Sequence, residues 1–215
     1  HFMAFVGALA LTSIAHALSI VYLAPAIIAI ASVRLLGERL RPMQMAGIGF
    51  SIIGIAVLTG FEPSVTMRSL IGDLLALVSA AFFAAYSIIG RIRRASVPVF
   101  AYTSRVYVWA AIWALPFAAF GAFYDLDPSK YTWGRAVAIA LSGILPIGIG
   151  HTLYNASMRY ISATKTNLIA TQEITGGVIL AAVILAEIPS LTSISGAAVN
   201  LFGILLVILG GRSDD

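Results

Sequence analysis

Long apolar runs separated by short polar stretches are the feature that most constrains the fold of this chain. Residues 2–36, for example, are nearly all apolar. About 20 such residues form a helix long enough to cross the ~30 Å hydrocarbon core of a membrane. Because lipid offers the backbone no hydrogen-bond partners, a spanning segment must be a helix or part of a closed barrel. These runs are too continuous for the alternating pattern of barrel strands. We therefore predict an all-α integral membrane protein, a helical bundle in a lipid bilayer.

Charge is too scarce to cover a water-facing surface. Charged residues make up 10% of the chain and apolar residues 60%, whereas soluble domains carry about 25% charged residues. The net charge of +4 lies mostly in the loops, where it reports topology, so we expect no nucleic-acid partner. The sequence contains no cysteine and no motif of a hydrolase, metalloprotease or nucleotide-binding loop. We therefore expect no enzymatic activity, no cofactor and no metal site.

Polar interruptions divide the chain into predicted helices, the first of which is the tail end of a span. We place the first break at Thr12 and Ser13. About seven full spans then follow the partial first helix. The predicted helices cover residues 1–11, 14–36, 43–60, 70–90, 98–123, 134–160, 162–186 and 192–211.

Two segments of the sequence are related by one ungapped offset of 149 residues, which carries Glu38 onto Glu187. The segments are RLLGERLRPMQMAGIGFSIIG and ILAEIPSLTSISGAAVNLFG, and both hold an acid, a short polar loop and a glycine-spaced apolar helix. The glycine spacing indicates close helix packing. An internal repeat in so apolar a chain is typical of a transporter built from two halves.

The repeat also predicts the organisation of the chain. Residues 1–65 are the C-terminal part of a first copy, and residues 70–211 are a complete second copy of five helices. The offset places the start of the first copy about 77 residues before His1. We therefore expect a complete protein of ten spans.

An odd number of spans in each copy inserts the two copies in opposite directions. Loop charge agrees, with nine Lys or Arg residues on one side and three on the other. The positive-inside rule makes the first side cytoplasmic. We expect a multi-pass protein of the cytoplasmic membrane with its C-terminus in the cytoplasm. The nine bases are Arg34, Arg39, Arg41, Arg91, Arg93, Arg94, Arg159, Lys165 and Arg212.

Four stretches of the two halves carry a resemblance to a known family. They are AIIAIASVRLLGERL after Pro25, MQMAGIGFSIIGIAVL, GDLLALVSAAFFAAYSIIGR and ATQEITGGVILAAVILAE. The sequence resembles the EamA-type transporters of the drug/metabolite transporter superfamily. The resemblance implies two inverted five-helix repeats, a central cavity and alternating access. Ile174 follows Glu173 where the family often has a proline, which weakens the case for a helix break there.

Glu173 lies near the midpoint of the predicted helix 162–186. A carboxylate at mid-membrane costs roughly 2.5–3.5 kcal/mol, so it should face the bundle interior with a partner. It is either a proton-coupling or substrate-amine site, or a paired residue that ties two helices together. The offset carries Glu173 back to Ala24, so this acid belongs to the second copy only.

The same predicted helix carries a polar stripe. Four side chains fall within ~80° of arc on a regular helix, and Gln172 borders them. A cavity wall explains so long a stripe, and hydrogen bonds between helices are the alternative. We predict the cavity wall, with Glu173 at its edge or behind it. The stripe residues are Thr164, Asn167, Thr171 and Thr175.

The predicted helix 134–160 places His151, Asn155 and Arg159 on one face. Tyr154 is adjacent. Pro146, among glycines, should weaken this helix in its middle, as in transporters whose broken helices present backbone groups to substrate. His151 is either a pH-sensitive site or an ordinary hydrogen-bond donor.

His16 is the repeat equivalent of Lys165, and both would begin equivalent helices. Tyrosines are candidate contacts for an amphipathic substrate, with interface belts and core packing as the alternative. The candidate coupling residue is Glu173. The candidate substrate-binding residues are His16, Tyr22, Tyr86, Tyr107, His151, Tyr154, Asn155, Asn167, Thr171 and Gln172.

These features predict a secondary transporter that moves a small amphipathic metabolite, an amino acid or similar, with coupling to protons. The export direction and the substrate class are implied by the resemblance. One alternative is a nucleotide-sugar or organophosphate carrier, for which only Arg105, Arg159 and Lys165 would be available as bases. Another is a membrane scaffold without transport. The sequence does not specify an oligomeric state.

Overall fold

The computed structural model describes residues 1–60, 66–124, 132–184 and 190–210, and these are helical apart from short links. Glu187, Arg212 and the acidic loop around Asp125 lie outside the described residues. The helices are α1 (Phe2–Leu11), α2 (Ile14–Val21), α3 (Ala24–Leu35), α4 (Pro42–Thr59), α5 (Met67–Arg94), α6 (Val99–Tyr124), α7 (Trp133–Ser142), a π-helical segment (Gly143–Gly150), α8 (His151–Ser157), α9 (Ala163–Ala170), α10 (Gln172–Ile184) and α11 (Leu191–Gly210).

Within the described residues, four helical segments are long and apolar enough to cross a membrane. They contain 20 to 28 residues each, which at 1.5 Å per residue is roughly 30–40 Å. The predicted all-helical membrane fold is therefore confirmed, whereas the count of about seven spans stays a prediction. The four segments are His16–Leu35, Met67–Arg94, Trp133–Ser157 and Leu191–Gly210.

The helix predicted over 14–36 is one candidate span over His16–Leu35, but a turn at Tyr22 and Leu23 divides it into two helices. Helix α2 ends at Val21 and α3 begins at Ala24. Pro25 occupies the first turn of α3, where its missing N–H removes no helical hydrogen bond and its fixed φ favours a new helix.

The helix predicted over 162–186 is divided in the same way, because α9 ends before Thr171 and α10 begins after it. No proline or glycine stands at this break. The Thr171 hydroxyl instead donates to the Leu168 carbonyl at 2.7 Å, a local side-chain bond that competes with the helical pattern.

The two breaks stand at equivalent positions of the repeat. The offset of 149 residues that relates Glu38 to Glu187 carries both ends of α2 onto the ends of α9. The N-caps also match. Ser13 Oγ accepts a hydrogen bond from the His16 N–H at 3.1 Å, and Ser162 Oγ accepts one from the Lys165 N–H at 3.2 Å. A serine at this position satisfies an N–H that the helix leaves free.

The described chain divides into two compact units. Unit 1 comprises residues 1–89 with residues 162–215, and unit 2 comprises residues 90–161. The repeat boundaries at 1–65 and 70–211 stay predictions.

In unit 1, α4 and α11 pack with their backbones in direct contact. A Cβ atom at Gly47 would lie 2.5 Å from the Gly203 carbonyl oxygen, and a Cβ atom at Gly54 would lie 2.7 Å from the Gly196 carbonyl oxygen. The close packing predicted from the glycine spacing is therefore confirmed. The earlier glycine of α4, Gly47, faces the later glycine of α11, and Gly54 faces the earlier one, so the two helices run antiparallel.

The repeat offset of 149 residues also maps these two glycine contacts onto each other. Gly47 is equivalent to Gly196 and Gly54 to Gly203, so one contact maps onto the other. At the centre, Ser51 Oγ donates to Asn200 Oδ1 at 2.6 Å, and these two residues are 149 apart. Contacts of this reciprocal kind are those of a two-fold axis.

Small buried residues hold the short helices of unit 1 together. Ala8 and Ala76 pack with Ala17, which joins α1, α5 and α2. Ile28 packs with Ala163, which joins α3 to α9. The broken helices are thus fixed by tertiary packing as well as by their own hydrogen bonds.

Unit 2 contains α6, α7, the π-helical segment, α8 and the last residues of α5. The predicted weakness at Pro146 is confirmed, since His151 N–H donates to the Pro146 carbonyl five residues back in π-helical fashion. At the end of α5, Arg94 Nε donates to the Asn155 carbonyl at 3.0 Å, and Arg91 donates to the Met158 carbonyl. Arginines at a helix C-terminus also complement the helix dipole.

Candidate functional site

Two of the predicted site residues meet in unit 1 where the equivalent helices break. Tyr22 directly follows α2, and Glu173 is the second residue of α10. The Tyr22 hydroxyl donates a hydrogen bond to the Glu173 carboxylate. The sequence placed Glu173 near the middle of one long helix. It lies in the first turn of a new helix instead, because of the break at Thr171.

The position of Glu173 stabilises its charge. The amides at the N-terminus of α10 carry partial positive charge that favours a carboxylate, and the Tyr22 hydroxyl adds a charge-assisted hydrogen bond. The Glu173 side chain is nevertheless exposed. Because a charged carboxylate against lipid is costly, we expect its exposed surface to face an aqueous cavity.

The polar stripe on α9 and α10 is buried, and its role as a cavity wall stays a prediction. Each stripe residue is at most 8% exposed. The hydroxyls of Thr164 and Thr175, and the amide nitrogen of Gln172, have no hydrogen-bond partner among the described residues. The buried residues are Thr164, Asn167, Thr171 and Thr175.

His16 lies in a polar cluster at the other end of α2. Its Nδ1 atom is 3.2 Å from each carboxylate oxygen of Asp73. The Thr12 hydroxyl donates to Asp73 Oδ1 at 2.8 Å. His16 is one of the residues predicted from the sequence, whereas Asp73 is not. The available signal was a lone carboxylate inside a predicted span.

Tyr86 also belongs to unit 1, on α5. It is half-buried, and its ring stacks on Phe83 with centroids 5.9 Å apart.

The remaining predicted residues lie in unit 2. The Tyr107 hydroxyl is 3.0 Å from Thr152 Oγ1. The rings of His151 and Tyr154 have centroids 6.2 Å apart. Asn155 is 0% exposed and donates from Nδ2 to the His151 carbonyl at 2.7 Å. Asn155 is therefore part of the interior of unit 2, whereas the other three side chains are partly exposed.

Among the described residues, no group of three or more His, Asp or Glu side chains could hold a metal ion. The site chemistry available in unit 1 is that of carboxylates, hydroxyls, an amide and an imidazole. Such groups bind and release protons and make hydrogen bonds to a polar solute.

Apolar helices long enough to span a bilayer, two short helices broken at equivalent positions and a carboxylate at one break are the features of a helical membrane protein. The chain belongs to the EamA-like transporter family, whose model matches residues 1–60 and 70–209. The resemblance found in the sequence is thereby confirmed.

Two comparisons give the extent of the similarity. The chain is 25% identical over 202 residues to the uncharacterized transporter YxxF of Bacillus subtilis (strain 168), covering 92% of this chain and 62% of that protein. It thus spans less than two thirds of that relative's length. A solved crystal structure is similar with a TM-score of 0.82 and 26% identity, over 99% of this chain and 74% of that one.

Proposed function

We propose that this chain is part of a secondary transporter that exports a small amphipathic metabolite, such as an amino acid, across the cytoplasmic membrane by alternating access. The observation that carries the proposal is the hydrogen bond between Tyr22 and Glu173. It joins the break of one helix to the break of the repeat-equivalent helix. Broken helices at the interface of two repeats are where secondary transporters bind substrates and coupling ions.

The two copies would be inverted in the membrane. The antiparallel, reciprocal contacts of α4 and α11 support this arrangement, as does the excess of bases on one set of loops. The described loops of that set include Arg39 and Arg41, which precede α4. Ser190, at the equivalent place before α11, has no base beside it in the sequence. The base-rich loops, and the C-terminus, would then face the cytoplasm.

Glu173 would act as the coupling residue. While it is charged, it accepts the Tyr22 hydrogen bond and links α2 of the first copy to α10 of the second. A proton on the carboxylate removes the charge and weakens this bond, since charge-assisted hydrogen bonds are roughly twice as strong as neutral ones. Proton binding would thereby free the two copies to move against each other, which alternating access requires.

The test is transport by the full-length protein in proteoliposomes, screened with amino acids, amines and phosphorylated sugars. We expect saturable uptake and counterflow. Glu173→Gln should remove the pH dependence between pH 5 and 9, and Tyr22→Phe should reduce this pH dependence, because it removes the hydrogen bond that a proton on Glu173 would otherwise weaken. Glu38→Gln and Tyr160→Phe are the matched controls, because Glu38 lies in a loop and Tyr160 is 79% exposed.

The other outcomes separate the alternatives. A pore would conduct without saturation or counterflow. Preference for phosphorylated sugars would favour the organophosphate carrier, and no flux of any solute would favour a scaffold. An unchanged pH profile in Glu173→Gln would exclude the coupling role of this residue.

A further inference from the structure

We infer that four arginines at one end of unit 2 form a binding site for the phosphate headgroup of an anionic phospholipid. These residues, the arginine cluster, are Arg91, Arg93, Arg94 and Arg159. The site goes beyond the proposed function, because lipid binding does not require that the protein transports a solute.

Hydrogen bonds between the end of α5 and the end of α8 bring the cluster together. Arg94 Nε donates to the Asn155 carbonyl at 3.0 Å, and Arg91 Nη1 donates to the carbonyl of Met158, the residue before Arg159. Both bonds tie a side chain of α5 to the backbone at the end of α8. The bases of α5 and the base that follows α8 therefore lie at one place in unit 2.

Arg94 forms the buried centre of the cluster. It is 3% exposed, and its Nη1 atom donates to the Val97 carbonyl in the link between α5 and α6. Helix α6 begins two residues later, at Val99, so its first amides add partial positive charge beside the cluster. Since the acceptors of Arg94 and Arg91 are backbone carbonyls, which carry no net charge, these contacts do not neutralise the two guanidinium groups.

No carboxylate in the described part of unit 2 balances this charge. Residues 90–124 and 132–161 contain six arginines and neither Asp nor Glu. The guanidinium groups of Arg93 and Arg159 are exposed and form no ion pair or hydrogen bond with a described residue. Because arginine stays charged in proteins, the cluster is a site of net positive charge with two guanidinium groups available to an external anion.

The cluster lies at the end of two candidate membrane spans. Met67–Arg94 ends within it, and Trp133–Ser157 ends two residues before Arg159. The ends of spanning helices lie at the level of the lipid headgroups, where basic clusters attract anionic lipids. The planar guanidinium group also matches phosphate geometry and can donate two hydrogen bonds to one phosphate. In the proposed topology this end faces the cytoplasm, which assigns the lipid to the inner leaflet.

Exposed apolar side chains beside the cluster favour a lipid over a soluble anion. Ile92 stands between two of the arginines, and Phe100 lies in the first turn of α6. More than half of each side chain's surface is exposed. The acyl chains of a lipid would cover this apolar surface, whereas a soluble anion gains nothing from it.

The experiment measures lipid retention by the purified full-length protein in native mass spectrometry. The probes are phosphatidylglycerol and phosphatidylcholine with the same acyl chains. We expect phosphatidylglycerol to bind more tightly by at least about tenfold. Arg93→Gln combined with Arg159→Gln should weaken phosphatidylglycerol binding about 30-fold, which corresponds to ~1 kcal/mol for each arginine near the membrane surface.

Two further variants separate charge, geometry and position. Arg93→Lys combined with Arg159→Lys keeps the charge without the planar fork and should recover part of the affinity. Arg135→Gln is the matched control, because Arg135 lies at the start of α7 and thus at the other end of the same candidate span. It should change phosphatidylglycerol binding by less than about threefold. Since Arg93 and Arg159 are exposed, the variants should keep the unmodified Tm in phosphatidylcholine, which separates lost binding from lost folding.

Three results would overturn the inference. Equal retention of the two lipids would leave the arginines as determinants of topology only. Unchanged phosphatidylglycerol binding in the glutamine pair would place the lipid elsewhere. Glycerol phosphate, the soluble part of the headgroup, is the third probe, and displacement of phosphatidylglycerol by an equal concentration of it would make this a site for a soluble anion. Because no part of the experiment measures transport, absence of transport would refute the proposed function and leave the lipid site standing.

Discussion

Replacement of Gly54 by alanine should destabilise the protein through the contact between α4 and α11. The new Cβ atom would lie 2.3 Å from the Asn200 backbone nitrogen and 2.7 Å from the Gly196 carbonyl oxygen. Ordinary contacts to a Cβ begin at 3.4 Å, so the backbones must separate by about 1 Å. Because both opposing groups are backbone atoms, no side chain can rotate away.

The magnitude follows from a matched control in the same helix. Gly49→Ala adds the same methyl group where nothing lies within 4 Å. Both substitutions gain roughly 0.5–1 kcal/mol of helix propensity, so this gain cancels in their difference. The clash at Gly54 should then appear alone, at about 1–3 kcal/mol.

The assay is thermal unfolding of the two full-length variants in the same detergent. A loss of 1 kcal/mol lowers Tm by roughly 2–4 °C in a domain of 150–250 residues. We expect Gly49→Ala at or above the unmodified Tm and Gly54→Ala below Gly49→Ala by about 2–12 °C. Equal Tm values for the two variants would refute the close approach of α4 and α11.

Three further predictions concern single positions. Ser51→Ala removes the donor to Asn200 Oδ1, a fully buried atom, and should cost about 1–3 kcal/mol in unfolding free energy, with a smaller cost when Asn200→Leu is added. An equal cost in the double variant would contradict this. Gly60→Ala forces alanine to φ 68° at the end of α4 and should lower stability by about 1–2 kcal/mol, although a Cβ there meets no atom within 4 Å. Pro146→Ala restores a backbone N–H in the π-helical segment, so amide exchange in residues 143–150 should slow, and unchanged exchange would show that the proline does not cause the irregularity.

Much of the helical scaffold could be predicted from local pattern. Helix α4 was expected over 43–60 and runs over 42–59, and α11 was expected over 192–211 and runs over 191–210. Both are single apolar segments between polar loops. The break before α3 had a local signal in Pro25 that the apolar run concealed. The break at Thr171 had no such local signal in the sequence, because a threonine hydroxyl and the packing of α9 produce this break.

The candidate site depended on contacts that sequence order does not reveal. Glu173 was recognised because a carboxylate in an apolar segment is costly, and Tyr22 only as one aromatic among several. Their contact joins residues 151 apart and requires both helix breaks. Asp73 is likewise a carboxylate in an apolar segment, so the same cost argument applied to it. Its pairing with His16, 57 residues away, depends on a close approach that Gly72 permits.

The most direct test of the account is the orientation of two equivalent positions in the membrane. Arg41 precedes α4 and Ser190 precedes α11, at the offset of the repeat. Since this chain contains no cysteine, Arg41→Cys and Ser190→Cys can be placed singly in a cysteine-free version of the full-length protein. Each is then labelled in intact cells with a membrane-impermeant maleimide. Inverted copies predict that Ser190→Cys is labelled from outside and Arg41→Cys only after the membrane is opened, and labelling of both from the same side would contradict the account.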